Sequence, residues 1–193
     1  MATLLGLCDD VYTLTKRPDL VAETKLAVRQ ATLKMHHLDY FPKDLHETGI
    51  QFSSADNIQS LAYKSIVPRW RALKYLRKYD GAPSIFFTVL DPTETLDRYA
   101  VNREDICYLA GEQIEIRSST ALQYALLGCY VHPDVTETGY SSWIADEFPF
   151  AIISEAAAFI LNSIGWDEQA QRMKQMAAEQ VSLLRQQISP EGY

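Results

Sequence analysis

Cysteine is scarce and scattered: Cys8, Cys107 and Cys129 form an odd set with no Cys-x-x-Cys pair. Neither a disulfide framework nor a zinc knuckle is expected, and the three thiols read as small buried hydrophobes in a reducing compartment. The eight glycines sit mostly at turns and helix ends. They build no Gly-rich phosphate cradle, no Gly-x-Ser-x-Gly elbow and no dinucleotide fingerprint, which argues against nucleotide chemistry. Four histidines, His36, His37, His46 and His132, include no His-x-x-x-His pair that would set two metal ligands on one helical face. They read as solvated or helix-terminal side chains, with His46 and His132 isolated near turns. No catalytic residue, cofactor site or metal site is therefore expected. Positive charge is also in deficit, 18 Lys and Arg against 25 Asp and Glu for a net charge of -7, which disfavours wholesale binding to duplex DNA. Long apolar runs are lacking too. Residues 148–164 are interrupted by Glu155 and fall short of the roughly 20 residues that cross a bilayer, and the Leu4 to Cys8 start lacks a basic leader. Neither a membrane span nor export is expected.

What is present is an ordinary globular composition, 47% hydrophobic and 22% charged over 193 residues, enough for a packed core. Leu4, Leu7, Val11 and Leu14 recur at spacings of three and four, predicting a helix over residues 2–15. After the break at Lys16-Arg17-Pro18, Asp19 is placed to cap a second helix from Leu20 to Leu38, carried by Ala27, Val28, Ala31 and Met35. Beyond Pro42 the period shortens. Gly49–Phe52, Ile58–Tyr63, Trp70–Tyr79 and Ile85–Leu90 read as antiparallel strands separated by turns at Ser53–Asn57 and Asp80–Pro83. Ile106–Arg117 reads as a hairpin turning at Ala110-Gly111, with Ile114 and Ile116 alternating against Glu115 and Arg117. Residues 121–131 read as a central strand, with a helix as the alternative.

Helix resumes at Asp146-Glu147-Phe148-Pro149, where acids and proline suit a first turn, and Gly165 closes it. Its apolar residues, Phe159 included, cover most of the circumference, so burial on several sides is expected. Asp167 is placed to cap a last helix striped by Ala170, Met173, Ala177, Val181, Leu184 and Ile188. The fold class is α+β. The terminal helix pairs, residues 1–44 and 145–193, should form a helical bundle, with residues 45–144 as an inserted antiparallel β lobe.

One segment opposes the acidic balance: Lys64, Arg69, Arg71, Lys74, Arg77 and Lys78 are interleaved with Trp70, Tyr75 and Tyr79, with no acid among them. Aromatic and basic interleaving is the composition of a single-strand binding surface. It also fits a solvated cationic face, or one that docks on the acid-only stretch Asp134, Glu137, Asp146, Glu147 and Glu155 of a sister copy.

Several segments resemble, in order, the head-to-tail adaptor, or neck and connector, proteins of tailed bacteriophages, especially the short-tailed kind. They are the opening helix with Lys16-Arg17-Pro18-Asp19, the helix reading Val28-Arg29-Gln30-Ala31-Thr32, and the basic-aromatic strand Trp70–Asp80. They continue with Leu126–Pro133 ending in His-Pro, and with Ser141-Ser142-Trp143-Ile144 before Pro149 and an alanine-rich helix. The resemblance implies a structural virion subunit in a homo-oligomeric ring of about twelve copies. Such a ring joins portal protein to tail or nozzle proteins in the neck and is assembled in the host cytoplasm. DNA passes through its channel without sequence-specific binding, and no membrane is involved. The portal contact it implies falls on Ile188, Ser189, Pro190, Glu191, Gly192 and Tyr193, and the intersubunit or DNA-facing surface on the basic strand. A tail-tube or tail-completion subunit would share the fold logic. A nucleic-acid-binding module is the alternative of another class.

Overall fold

The computed structural model describes residues 1–79, 84–91 and 103–188. The chain is α+β and divides into two compact units, residues 1–44 with 132–193, and residues 45–131. The boundary expected at residue 144 falls instead at 131. Residues 132–142 join the helices because their side chains bind there: Glu137 pairs with Lys25, and the Tyr140 and Thr32 hydroxyls hydrogen-bond at 2.7 Å.

In the helical unit, α1 (Leu4–Thr15) starts where the Thr3 hydroxyl accepts from the Gly6 amide. Leu4, Leu7, Cys8, Val11 and Thr15 are its buried face; Leu14, expected on that stripe, is exposed. For α2 (Val21–His37) the cap position is Leu20, with no side-chain cap bond. Asp19 does not cap it, because both its carboxylate oxygens accept from Arg17. The acids Asp146 and Glu147 lie not in the first turn of the long helix but at the end of a separate short one, α4 (Trp143–Glu147), whose cap Ser142 accepts from the Ala145 amide. Pro149 then opens α5 (Pro149–Ser163), and α6 (Asp167–Ile188) follows, with Asp167 as its first residue. Ala151, Ile152, Ile153, Ala156, Ala157 and Ile160 of α5 share one core with Leu4, Leu7 and Val11 of α1, Val28 and Met35 of α2, and Leu184 of α6. The two chain ends thus close around α5. Phe159, counted among its buried residues by periodicity, is exposed.

The β unit is organised on one long strand, β5 (Gln113–Val131), confirming strand over helix for residues 121–131. Along one edge it pairs antiparallel with β1 (Leu45–Leu61). On the other edge its first part pairs with β4 (Ile106–Ala110) and its last part with β2 (Trp70–Lys78). A single helical turn, α3 (Tyr63–Ile66), lies between β1 and β2, and β3 (Thr88–Val89) pairs parallel with β4, so the sheet is mixed rather than wholly antiparallel. The turn expected at Ser53–Asn57 is absent: β1 runs through it, shedding register between Gln51, Asp56 and Ile58. The hairpin holds, but its turn is Gly111-Glu112, because Ala110 pairs with Gln113; Gly111 has φ 62°, left-handed backbone that glycine adopts without strain. The turn expected at Asp80–Pro83 lies outside the described residues. Beneath the sheet, Ile50, Phe52, Leu61, Leu76, Phe87, Cys107, Ile114, Ile116, Leu122, Leu127 and Cys129 form the core. The opposite face carries Tyr75, Arg77, Tyr124 and Leu126, as the pairings Tyr75 to Gly128 and Arg77 to Leu126 dictate.

All three thiols are buried and unpaired, and burial pushes Cys8 and Cys129 up to about 11 and Cys107 up to about 12. Unfolded thiols ionise nearer 8.5. Above that pH the unfolded chain releases protons that the folded chain keeps, so stability falls as pH rises, by about 1.4 kcal/mol per pH unit for each affected thiol. Native protein at pH 8 should react negligibly with a thiol reagent and denatured protein with all three, while the denaturation midpoint drops from pH 9 to pH 11.

Candidate functional site

The titratable residues that converge most closely lie in the helical unit. His36 projects from the last turn of α2, and its Nδ1 meets both carboxylate oxygens of Asp44, at 2.8 and 3.0 Å. Its Nε2 meets Ser142 Oγ at 2.9 Å, and Trp143 Nε1 donates to Asp44 Oδ1 at 2.8 Å. A carboxylate only accepts, so Nδ1 donates to Asp44. Ser142 Oγ, which accepts from the Ala145 amide, is the hydrogen-bond partner of Nε2. His36 is helix-terminal, as expected, but not solvated; it is 2% exposed, and Asp44 and Ser142 are 5% exposed.

A serine, a histidine and an aspartate joined in this order have the connectivity of a nucleophile relay. Access decides against that use. The hydroxyl is engaged as a helix cap, and the Trp143 indole stands edge-on to His36 and Phe41, with Lys43 Nζ 5.0 Å from its ring centroid. The cluster instead ties the end of α2, the 3-10 turn Pro42–Asp44 and the start of α4 together through satisfied polar groups.

His132 is not isolated either: its ring centroid lies 4.9 Å from that of His37. Among the described residues no group of His, Cys, Asp and Glu is arranged to hold a metal ion, and no helix is long and apolar enough to cross a membrane. An open groove of about 300 Å³ between α1 and α5 is lined by Asp10, Thr13, Leu14, Pro149, Phe150 and Ile153, with Asp10 its single titratable side chain.

The basic segment divides by role. Lys64 pairs with Glu112 at 2.6 Å, which raises the lysine and lowers the glutamate from their ordinary pKa values. Lys78 Nζ donates to Thr120 Oγ1 and the Ala121 carbonyl, fastening the end of β2 to β5. Arg69 is exposed ahead of β2 and Arg71 is half-buried. Lys74 and Arg77 stand over rings: Lys74 Nζ is 5.9 Å from the Tyr130 centroid, and Arg77 Cζ is 5.9 Å from Tyr79 and 6.0 Å from Phe86.

Four of the five acids of the acid-only stretch already have cationic partners within the helical unit. Glu137 is held by Lys25, Glu155 by Lys34 and Glu147 by Lys43, and Asp146 faces the N-terminal amine, all within the helical unit. These neutralising lysines lie far away in sequence, so the stretch looked unopposed. Of the residues expected at a portal contact, Ile188 ends α6, and Ser189, Pro190, Glu191, Gly192 and Tyr193 lie outside the described residues. No family model matches the chain, and no curated protein matches it significantly.

Proposed function

We propose that the chain is a structural subunit of an oligomeric ring of the head-to-tail adaptor kind, joining a portal to a tail around a DNA channel. The observation that carries this reading is the discontinuous helical unit, in which both chain ends pack around α5 while the middle of the chain forms a separate strand-built lobe. That organisation gives one chain a helical unit and a separate strand-built lobe, which can serve different contacts in a ring. The most convergent polar cluster is shut from solvent, which favours a scaffold over a catalyst. The order of resembling segments supplies the neck assignment.

The test is negative-stain imaging of the purified chain with its portal protein, beside a chain ending at Arg185. The full chain should form rings of about twelve copies on the portal, and the shortened chain should fail to dock. A full-length chain that stays monomeric beside portal, or captures only tail proteins in pull-down, overturns the assignment.

A further inference from the structure

We propose that the face of the β lobe where Arg77 stands among Tyr75, Tyr79, Phe86 and Tyr124, with Lys74 over Tyr130, binds single-stranded nucleic acid. The argument starts from register. Tyr75 and Arg77 lie opposite Gly128 and Leu126, on the side of the sheet turned away from Leu76, Leu127 and Cys129. Phe86 bridges to Arg77, which puts its ring on the same side, 5.9 Å from that of Tyr75. Tyr124 shares this side through its pairing with Gln51, whose side-chain amide donates to the Tyr124 hydroxyl. Tyr79 closes the row, its amide bonded to the Tyr124 carbonyl.

Two properties of this row point to a polyanion that carries flat rings. Phe86 and Tyr79 are 60% and 67% exposed, large aromatic faces left in water beside a guanidinium. Neither Lys74 nor Arg77 has an ion pair among the described residues, and Arg77 Nε is a buried donor without a hydrogen-bond partner. Phosphates would neutralise the two cations, and unpaired bases would stack on the exposed rings, the combination that sequence-tolerant single-strand binding requires. A duplex hides its base faces and gains only the charge term. Glu47, opposite Gly128 on this face, opposes binding and marks where removal of charge should help.

The experiment is fluorescence anisotropy of the full chain with a labelled oligothymidylate of about 15 nucleotides. Heparin and a duplex of equal length serve as competitors. Binding should be salt-sensitive, with a logarithmic slope of about -1.4 for two displaced cations. Phe86→Ala with Tyr79→Ala should weaken it about tenfold or more, Arg77→Gln should weaken it and flatten the slope, and Glu47→Gln should tighten it. Unchanged melting by circular dichroism keeps these variants interpretable. Absence of binding at low salt overturns the proposal, as does equal competition by duplex and heparin with no effect of the ring substitutions. If the ring substitutions spare the oligonucleotide but abolish assembly with sister copies, the face is a protein interface and the proposal is wrong. Ring formation on a portal is read separately, so the adaptor reading and this one can fail independently.

Discussion

Replacing Asp44 by alanine is expected to cost the helical unit about 2–6 kcal/mol, because two donors lose one buried acceptor. The carboxylate accepts from His36 Nδ1 and from Trp143 Nε1, and both donors lose that acceptor at once. A lost buried partner costs about 1–3 kcal/mol each time, and the two donors together set the range. For a chain of this size that corresponds to a melting midpoint lower by roughly 10 °C. Asp44→Asn keeps an acceptor but replaces the second oxygen with a donor, so an intermediate loss is expected. Differential scanning calorimetry measures both; a loss under about 1 kcal/mol for the alanine variant contradicts the role assigned to the cluster.

The second large effect is expected in the lobe, at Gly128. A Cβ there would stand 2.5 Å from Tyr75 Cε1 and Cζ, so the tyrosine lies flat across the strand only because the glycine has no side chain. Gly128→Ala must displace the ring or the strand, with a loss of about 1–3 kcal/mol, and Gly128→Val more. Adding Tyr75→Ala should recover most of it, because the collision needs both partners. Chemical denaturation of the four chains of that cycle decides: additive losses show that the conflict lies in the backbone instead.

Sequence patterns disclosed what local periodicity controls. Ile114 and Ile116 alternate with polar neighbours and are both buried; Ala27, Val28, Ala31 and Met35 recur every three or four residues and line the core. Where a side chain had a choice of partners, sequence was silent. Asp19 had the residue type of a helix cap, yet Arg17, two residues away, takes both its oxygens. Ser53–Asn57 had turn-forming composition, but pairing with β5 pulled it into a strand and left only slipped register as a trace. The environment of His36 was illegible because its partners lie 8 and 106 residues away and belong to other elements. The basic strand was legible as a composition; its division into tied lysines and cations standing over rings depended on partners such as Glu112, Thr120, Phe86 and Tyr130.

The position of β5 in the chain sets how late in synthesis the lobe can fold. Residues 45–61 and 70–78 both await a strand that begins at Gln113, and α1 and α2 await α5, which begins at Pro149. Neither unit can therefore close while the ribosome is still extending the first half of the polypeptide. Nascent chains must carry open strand edges and uncovered helix faces until late in translation, the period in which aggregation competes with folding. Yield on expression should consequently respond to chaperone supply and growth temperature more steeply than the finished protein's own heat tolerance does.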